Sequence, residues 1–144
     1  MSKKNIFIDG AIPAQFIADS IAKHQSKTRI GAHNIFLGQV RADTVDKKTV
    51  TGIEFSHYEE MAEKKVAQIR EDAFDKFDLV CMHVYHSIGK VAVGEICIFV
   101  FVSAGHRPHV YEATEYIVNR IKTEVPLFGK EYFDDADYQW KKNG

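Results

Sequence analysis

The sequence lacks the features that mark several special classes of protein, and each missing feature argues against one class. Its 144 residues contain two cysteines, Cys81 and Cys97, which lack the Cys-x-x-Cys spacing of zinc and redox motifs. It has no apolar run of the roughly 18 residues that a transmembrane helix needs, so no membrane span is predicted. The formal net charge of -1 argues against a large basic surface for nucleic acid or anionic lipid, but it leaves room for a local basic pocket.

Motifs of several enzyme classes are also missing. The sequence has no Walker loop, no dinucleotide-binding G-x-G-x-x-G, no H-E-x-x-H and no G-x-S-x-G. His83 and His86 lie three residues apart on one predicted strand, so their side chains point to opposite faces. No metal-type Cys/His cluster is visible in the spacing, and no metal site is predicted.

The N-terminal residues and the cysteines indicate a cytoplasmic protein. Lys3 and Lys4 precede no long apolar segment, so no secretory signal is predicted. Cys81 and Cys97 lie in apolar, strand-like runs, and both are predicted to be buried and reduced.

What the sequence does contain is a mixture of strand and helix patterns over a length typical of one domain. We therefore interpret residues 1–144 as a single domain, in which residues 1–30 form an N-terminal strand and helix. The predicted strands cover residues 5–8, 31–40, 49–58, 79–86 and 96–102; the predicted helices cover residues 12–24 and 59–77, with a third between Pro108 and Pro126.

The connections between these elements predict the fold class. Residues 79–86 and 95–102 are joined too briefly for a helical crossover, so they are expected to form an antiparallel hairpin. This favours an α+β fold with a mixed or antiparallel sheet and flanking helices. Residues 42–48 are predicted to be a mobile loop and residues 90–93 a turn. The inward side of the second helix is predicted to consist of Met61, Val66, Ile69 and Ala73.

The segment of residues 103–131 contains the strongest functional pattern. Pro108 is favoured in the first turn of a helix, which places His106 and Arg107 at the helix N-terminus. Free backbone N–H groups and the positive end of the helix dipole favour an anion there, and the two side chains add donors suited to phosphate or carboxylate. The buried face is predicted to consist of Val110, Ala113, Ile117, Ile121 and Val125, with Lys122 flanking it.

Each cationic candidate also has an ordinary structural explanation. Arg41 is compatible with a solvated strand end, and the pair His106 and Arg107 with a surface helix cap. Lys122 near a helix C-terminus is compatible with the dipole alone, and Lys130 beside Glu131 with a surface ion pair. Together these groups suggest a pocket for an anionic small molecule, if the fold brings their segments together.

Several short motifs, taken in order, resemble a known family. They lie between residues 31 and 140, and the ordered set is more specific than any one of its members. The motifs are Gly38-Gln39-Val40-Arg41, His57-Tyr58-Glu59-Glu60-Met61, His86-Ser87-Ile88-Gly89, Gly94-Glu95, Ser103-Ala104-Gly105-His106-Arg107 followed by Tyr111-Glu112-Ala113, and Lys122-Thr123-Glu124-Val125-Pro126 running on to Lys130-Glu131. On these residues the chain resembles the MoaE family, the large subunit of molybdopterin synthase.

The resemblance implies a fold, a partner and a reaction. Family members have an α/β-hammerhead fold and form a homodimer within a heterotetramer. Each large subunit receives the Gly-Gly tail of a small ubiquitin-like sulfur-carrier subunit, which ends in a thiocarboxylate. Two sulfurs pass to cyclic pyranopterin monophosphate and form the dithiolene of molybdopterin. Because the partner supplies the sulfur, the resemblance implies no cofactor and no metal on this chain.

The resemblance also implies roles for individual residues. Lys122 corresponds to the central catalytic lysine, whose ammonium stabilises an oxyanion or protonates a leaving oxygen. Arg41, His106 and Arg107 correspond to the residues that hold the substrate phosphate. The remaining implied substrate-binding positions are Gln39, Val40, Gly129, Lys130 and Glu131.

One position departs from the family pattern. Family members commonly have a second functional lysine directly after the aromatic residue, where this chain has Gly129 after Phe128. Lys130 follows one residue later, and two alternatives stay open: Lys130 replaces that lysine as a second catalytic residue, or the second role is missing. In the latter case the alternative function is a non-catalytic dimeric module that binds a phosphorylated ligand or a ubiquitin-like tail.

Overall fold

The computed structural model describes residues 6–141. Lys3 and Lys4, and residue 5 of the first predicted strand, lie outside the described residues. Within the described part the chain forms eight strands and three helices. Their order is β1 (Phe7–Asp9), α1 (Ala14–His24), β2 (Ala32–Gln39), β3 (Thr44–Val45), β4 (Lys48–His57), α2 (Glu59–Lys76), β5 (Cys81–Ala92), β6 (Ile96–Ala104), α3 (Arg107–Glu124), β7 (Leu127–Phe133) and β8 (Tyr138–Trp140).

The strands form a mixed sheet that is mainly antiparallel. Its order is β2-β6-β5-β4-β7-β8, with β3 paired to β4 and β1 paired in parallel to β5. The predicted hairpin is confirmed, since Cys81 to His86 of β5 pair with β6 in antiparallel register. The α+β class is therefore confirmed.

Strand β5 joins the two parts of this sheet. Its first half pairs with β6, and its last residues pair with β4 instead. Gly89 lies at the change of partner with a φ of 86°, a conformation that residues with side chains rarely adopt. The predicted turn at residues 90–93 is wrong, because β5 continues to Ala92 and the chain reverses at Gly94, where φ is 87°.

Helices cover both faces of β6. Phe99 and Phe101 are fully buried on the side of α1, and Val100 and Val102 are fully buried on the side of α2 and α3. This explains why β6 is apolar at consecutive positions, as strands buried on both faces are. Each buried side chain of this kind contributes roughly 1.5–3 kcal/mol to stability.

The predicted face of α3 is confirmed. Val110, Ala113, Ile117 and Ile121 are all at most 3% exposed, as is Val125 directly after the helix. Helix α3 therefore packs firmly on the sheet, and its two ends are held in fixed positions.

Two further predictions are wrong. Residues 42–48 contain β3, which returns to β4 through a tight turn at Asp46 and Lys47 with φ values of 50° and 66°; no glycine marks this turn in the sequence. Met61 is 62% exposed, and Ala62 takes the inward position of α2 instead. The buried residues of α2 are Ala62, Val66, Ile69 and Ala73, so the buried face begins one residue later than predicted.

In the described part of the chain, we find no helix long and apolar enough to cross a membrane.

Candidate active site

A small cavity lies where the ends of β2 and α3 meet β7. Its volume is about 130 Å³. Five of the residues predicted from the sequence line it: Gln39, Val40, Arg41, Lys122 and Gly129. Ligand pockets usually measure about 300–1,000 Å³, so one chain supplies only part of a site for a drug-sized substrate.

Arg41 stands at the mouth of this cavity. Val40, just before it, is buried, and its backbone bonds with Glu95 and Gly94 hold the end of β2 in place. The Arg41 side chain itself is 76% exposed and pairs with Asp43 at 3.3 Å. An ion pair this exposed contributes little to stability, so an anionic ligand can replace Asp43 beside Arg41 with little loss of free energy.

Lys122 enters the cavity from the last turn of α3. Its neighbour Ile121 and the cap residue Val125 are both 3% exposed and hold this turn against the sheet. The exposed Lys122 therefore extends from a rigid position, and it is close enough to act electrostatically on His86 and Cys97 in the cavity wall.

His86 forms part of the wall and is neutral at neutral pH. Its pKa is lowered to about 4, mainly by burial and also by the charges of Lys122 and His57, against a hydrogen bond with the Ser87 carbonyl that raises it. Its ring lies against Phe55, with the ring centroids 5.0 Å apart. By sequence, His86 belongs to one of the family motifs and is weighed as a metal ligand, but it has no predicted role in the cavity.

Cys97 is the second wall residue that the sequence interpretation did not assign to the site. The prediction that both cysteines are buried is confirmed for Cys81 and wrong for Cys97, which is partly exposed. Burial raises the pKa of the Cys97 thiol, while Lys122 and Lys141 act to lower it. Both cysteines are unpaired, and the cytoplasmic location stays a prediction.

Lys130 lies outside the lining of the cavity. Its ammonium stacks on aromatic rings, 3.8 Å from the Tyr138 centroid and 5.9 Å from that of Trp140. Gly129 and Lys130 are adjacent on β7, so their side-chain directions point to opposite faces of the strand. Glu131 is buried and accepts a hydrogen bond from Gln139 at 3.1 Å.

A different lysine lines the cavity. Lys141 directly follows β8, and its side chain lies among the lining residues with Lys122 and Arg41. The sequence predicts no role for Lys141, because nothing in its local sequence indicates that this segment folds back to the cavity.

His106 and Arg107 lie at the far end of α3. His106 caps the helix and Arg107 is its first residue, as predicted, and both side chains are exposed. Arg107 and Lys122 are separated by fifteen residues of helix, which at 1.5 Å per residue is about 22 Å. One chain therefore does not bring His106 and Arg107 to the cavity that contains Lys122.

Two other features lie away from this cavity. A groove of about 520 Å³ between α2 and β5 is larger, but it contains none of the predicted site residues. On the α1 side of the sheet, His24, Cys81 and His83 bring their ligand atoms within 4.8 Å of one another. The sequence spacing did not indicate this group, because His24 comes from α1 and the other two from β5.

Comparisons with known proteins agree with the geometry. The family model described as MoaE protein matches residues 12–124, which is most of the chain. The chain belongs to the MoaE family.

Relatives of this MoaE-family chain share one name. The molybdopterin synthase catalytic subunit of Pyrococcus abyssi is 36% identical over 88% of this chain and 84% of its own length. That of Bacillus subtilis is 38% identical over 85% of this chain and 76% of its own length.

Solved structures show the same fold. Molybdopterin synthase from Staphylococcus aureus matches with a TM-score of 0.82 and 28% identity, over 99% of both chains. A complex of subunits 1 and 2 of the molybdopterin-converting factor from Helicobacter pylori matches with a TM-score of 0.79 and 20% identity, over 94% of this chain and 88% of that one, a likeness of fold alone.

Proposed function

We propose that this chain is the catalytic subunit of a molybdopterin synthase. It transfers sulfur from a thiocarboxylated small carrier subunit to cyclic pyranopterin monophosphate and so forms the dithiolene of molybdopterin. The observation that carries the proposal is the cavity in which Arg41 and Lys122 meet, within a chain of the MoaE family.

Lys122 is the residue that we propose to act on the reacting atoms. In the proposed transfer, the thiocarboxylate sulfur bonds to a pterin carbon, an oxygen leaving group departs, and a thioester links carrier and pterin. Water then attacks the thioester carbonyl carbon, negative charge builds up on the carbonyl oxygen, and the bond from that carbon to sulfur breaks, which leaves a carboxylate on the carrier. An ammonium held rigidly at that point stabilises the charge and is a proton source for a leaving oxygen. The buried neighbours of Lys122 supply this rigidity.

We propose that the substrate phosphate binds between two copies of the chain. Arg41 offers a guanidinium at the cavity mouth, and His106 and Arg107 of a second copy complete the anion site. Two observations support this arrangement: the small volume of the cavity and the separation of about 22 Å between Arg107 and Lys122 along α3. A symmetric homodimer contains two such sites.

The carrier tail is proposed to enter beside an exposed aromatic pair. Phe128, which lines the cavity, is 41% exposed, and its ring centroid is 5.3 Å from that of Tyr58, which is 62% exposed. Exposed aromatic side chains are typical anchors of protein interfaces. The solved complex of subunits 1 and 2 from H. pylori supports a small protein partner for this fold.

We propose that the reaction needs no cofactor and no metal on this chain, because the sulfur comes from the partner's thiocarboxylate. The measurement is turnover after treatment with a strong chelator and removal of the metal. Undiminished turnover is expected, and loss of turnover that zinc or another divalent metal restores would contradict this part of the proposal.

A single-turnover assay with the Lys122→Ala variant tests the function. Thiocarboxylated carrier and cyclic pyranopterin monophosphate are mixed with the protein, and formation of the dithiolene product is followed. We expect the variant to lose roughly 100-fold or more in rate, as removal of an oxyanion donor does, while carrier affinity and thermal stability stay near wild type.

The matched control is Lys90→Ala, which removes an exposed lysine of β5 outside the cavity. Wild-type turnover in Lys122→Ala would contradict the assigned role. A wild-type protein that binds carrier and pterin but forms no product would instead favour the non-catalytic binding module.

A further inference from the structure

We propose that Lys141 is the second cationic residue of the active site, acting beside Lys122 on the reacting carboxyl group of the carrier. This inference rests on the proposed function. Lys141 forms no covalent bond in this role; it supplies positive charge next to the point at which negative charge develops. Lys130 does not share the role.

Strand register places Lys141 on the cavity side of the sheet. Trp140 pairs with Lys130 across β7 and β8, and Lys130 faces away from the cavity. The next residue along, Lys141, donates its backbone N–H to the carbonyl of Gly129 at 2.7 Å. Because side chains alternate between faces, Lys141 lies opposite Gly129 and points to the same face.

The glycine leaves room for this side chain. A Cβ added to Gly129 would lie 3.6 Å from the Cβ of Lys141 and 3.2 Å from Ile53 Cγ2. A long side chain at residue 129 would therefore occupy the space beside Lys141. Because Gly129 has no side chain, the side chain of Lys141 can occupy this space.

The charges around the cavity support the same conclusion. Arg41, Lys122 and Lys141 all line it, whereas none of its described lining residues is an aspartate or a glutamate. Lys122 and Lys141 both act to lower the pKa of the Cys97 thiol, so both ammonium groups lie near the same point of the wall. A cavity with several cations and no carboxylate in its lining is suited to an anionic group.

The first experiment measures where the Lys141 charge lies and needs neither carrier nor pterin. Cys97 is alkylated with iodoacetamide over a range of pH, and labelling is followed by mass spectrometry of the Cys97 peptide in wild type, Lys141→Ala and Lys130→Ala. The thiolate is the reactive form, so loss of a nearby cation moves the midpoint of the labelling profile to higher pH. We expect this shift for Lys141→Ala, and a smaller one or none for Lys130→Ala. An unchanged midpoint in Lys141→Ala would overturn the placement.

The second experiment measures the role in single turnover. Lys141→Ala is expected to lower the rate about 10- to 100-fold with carrier affinity near wild type, since charge stabilisation acts mainly in the transition state. The double variant Gly129→Lys/Lys141→Ala moves the amine from residue 141 to residue 129, which lies opposite it on β7. We expect this variant to recover a substantial part of the rate. Lys90→Ala serves as the control lysine.

The outcomes separate this inference from the proposed function. A wild-type rate in Lys141→Ala, or a large loss in Lys130→Ala instead, overturns the role of Lys141 while leaving the proposed function intact. No turnover by the wild-type protein overturns the proposed function and the catalytic role together, and the Cys97 labelling then still decides whether Lys141 belongs to the cavity.

Discussion

His86 shows how one side chain of the cavity wall affects the stability of the protein. The imidazole is held neutral in the wall, with a pKa of about 4 caused mainly by burial. A protonated His86 would add a cation beside Lys122, so the fold keeps it uncharged. Its role is to shape the wall and pack against Phe55.

The lowered pKa of His86 predicts a pH dependence of folding. The unfolded chain binds the proton near pH 6.5 and the folded chain only near pH 4. Above about pH 6.5 this group therefore does not reduce the free energy of unfolding. As the pH falls from 6.5 toward 4, the free energy of unfolding decreases by roughly 3 kcal/mol in total.

Urea denaturation of wild type and His86→Gln at several pH values between 7 and 4 measures this effect. Several carboxylates with lowered pKa, among them Asp72 and Glu124, also lose stabilising interactions in acid, so the difference between the two proteins isolates His86. We expect the difference to shrink as the pH falls. A difference that stays constant over this range would show that His86 titrates normally.

The start of α3 depends on a close approach of two backbone segments. Gly31, just before β2, donates its N–H to the Ala104 carbonyl at 2.9 Å. A Cβ added to Gly31 would lie 2.2 Å from the carbonyl oxygen of Gly105. Because that oxygen belongs to the backbone, the segment leading to His106 and Arg107 has to move if residue 31 gains a side chain.

Gly31→Ala is therefore expected to destabilise the protein by about 1–3 kcal/mol and to lower the affinity for the phosphorylated substrate. Chemical denaturation and substrate titration measure the two effects. Gly105→Ala is the matched control, because a Cβ there makes only an ordinary contact, 3.7 Å from the Arg29 carbonyl. Equal stability of the two variants would show that the close approach carries no constraint.

At the scale of the whole molecule, α3 separates two cationic groups that the proposed reaction needs together. Lys122 lies at its C-terminal end beside Arg41 and Lys141, and His106 and Arg107 lie at its N-terminal end. Since the helix is rigid and packed along its length, the proposed phosphate site requires that a second copy brings its own N-terminal end to the cavity.

Mixing two inactive variants tests this arrangement. His106→Ala/Arg107→Ala and Lys122→Ala are each expected to be nearly inactive alone. Heterodimers of the two contain one site with all its residues intact, and random pairing makes half of the dimers heterodimers. Co-expression is therefore expected to restore about a quarter of wild-type turnover in the unsorted mixture and about half in heterodimers purified through two different tags. No recovery in verified heterodimers would mean that each site is built from one chain.

The sequence alone determined the secondary structure wherever burial is periodic, and it determined the family through motifs that keep their order. The buried face of α3, the hairpin of β5 and β6 and the positions of Arg41 and Lys122 were predictable, because each depends on neighbours along the chain. The turn at Asp46 and Lys47 was missed because it lacks the glycine that usually marks a two-residue hairpin turn.

The tertiary structure decided which predicted cations share a site. Arg41 and Lys122 meet, while His106 and Arg107 are held apart by the length of α3. Lys141 reaches the cavity only because β8 pairs with β7 in a register that places it opposite Gly129. Such pairings join residues that are distant in sequence. Strand register and helix length fix them, and local sequence patterns do not.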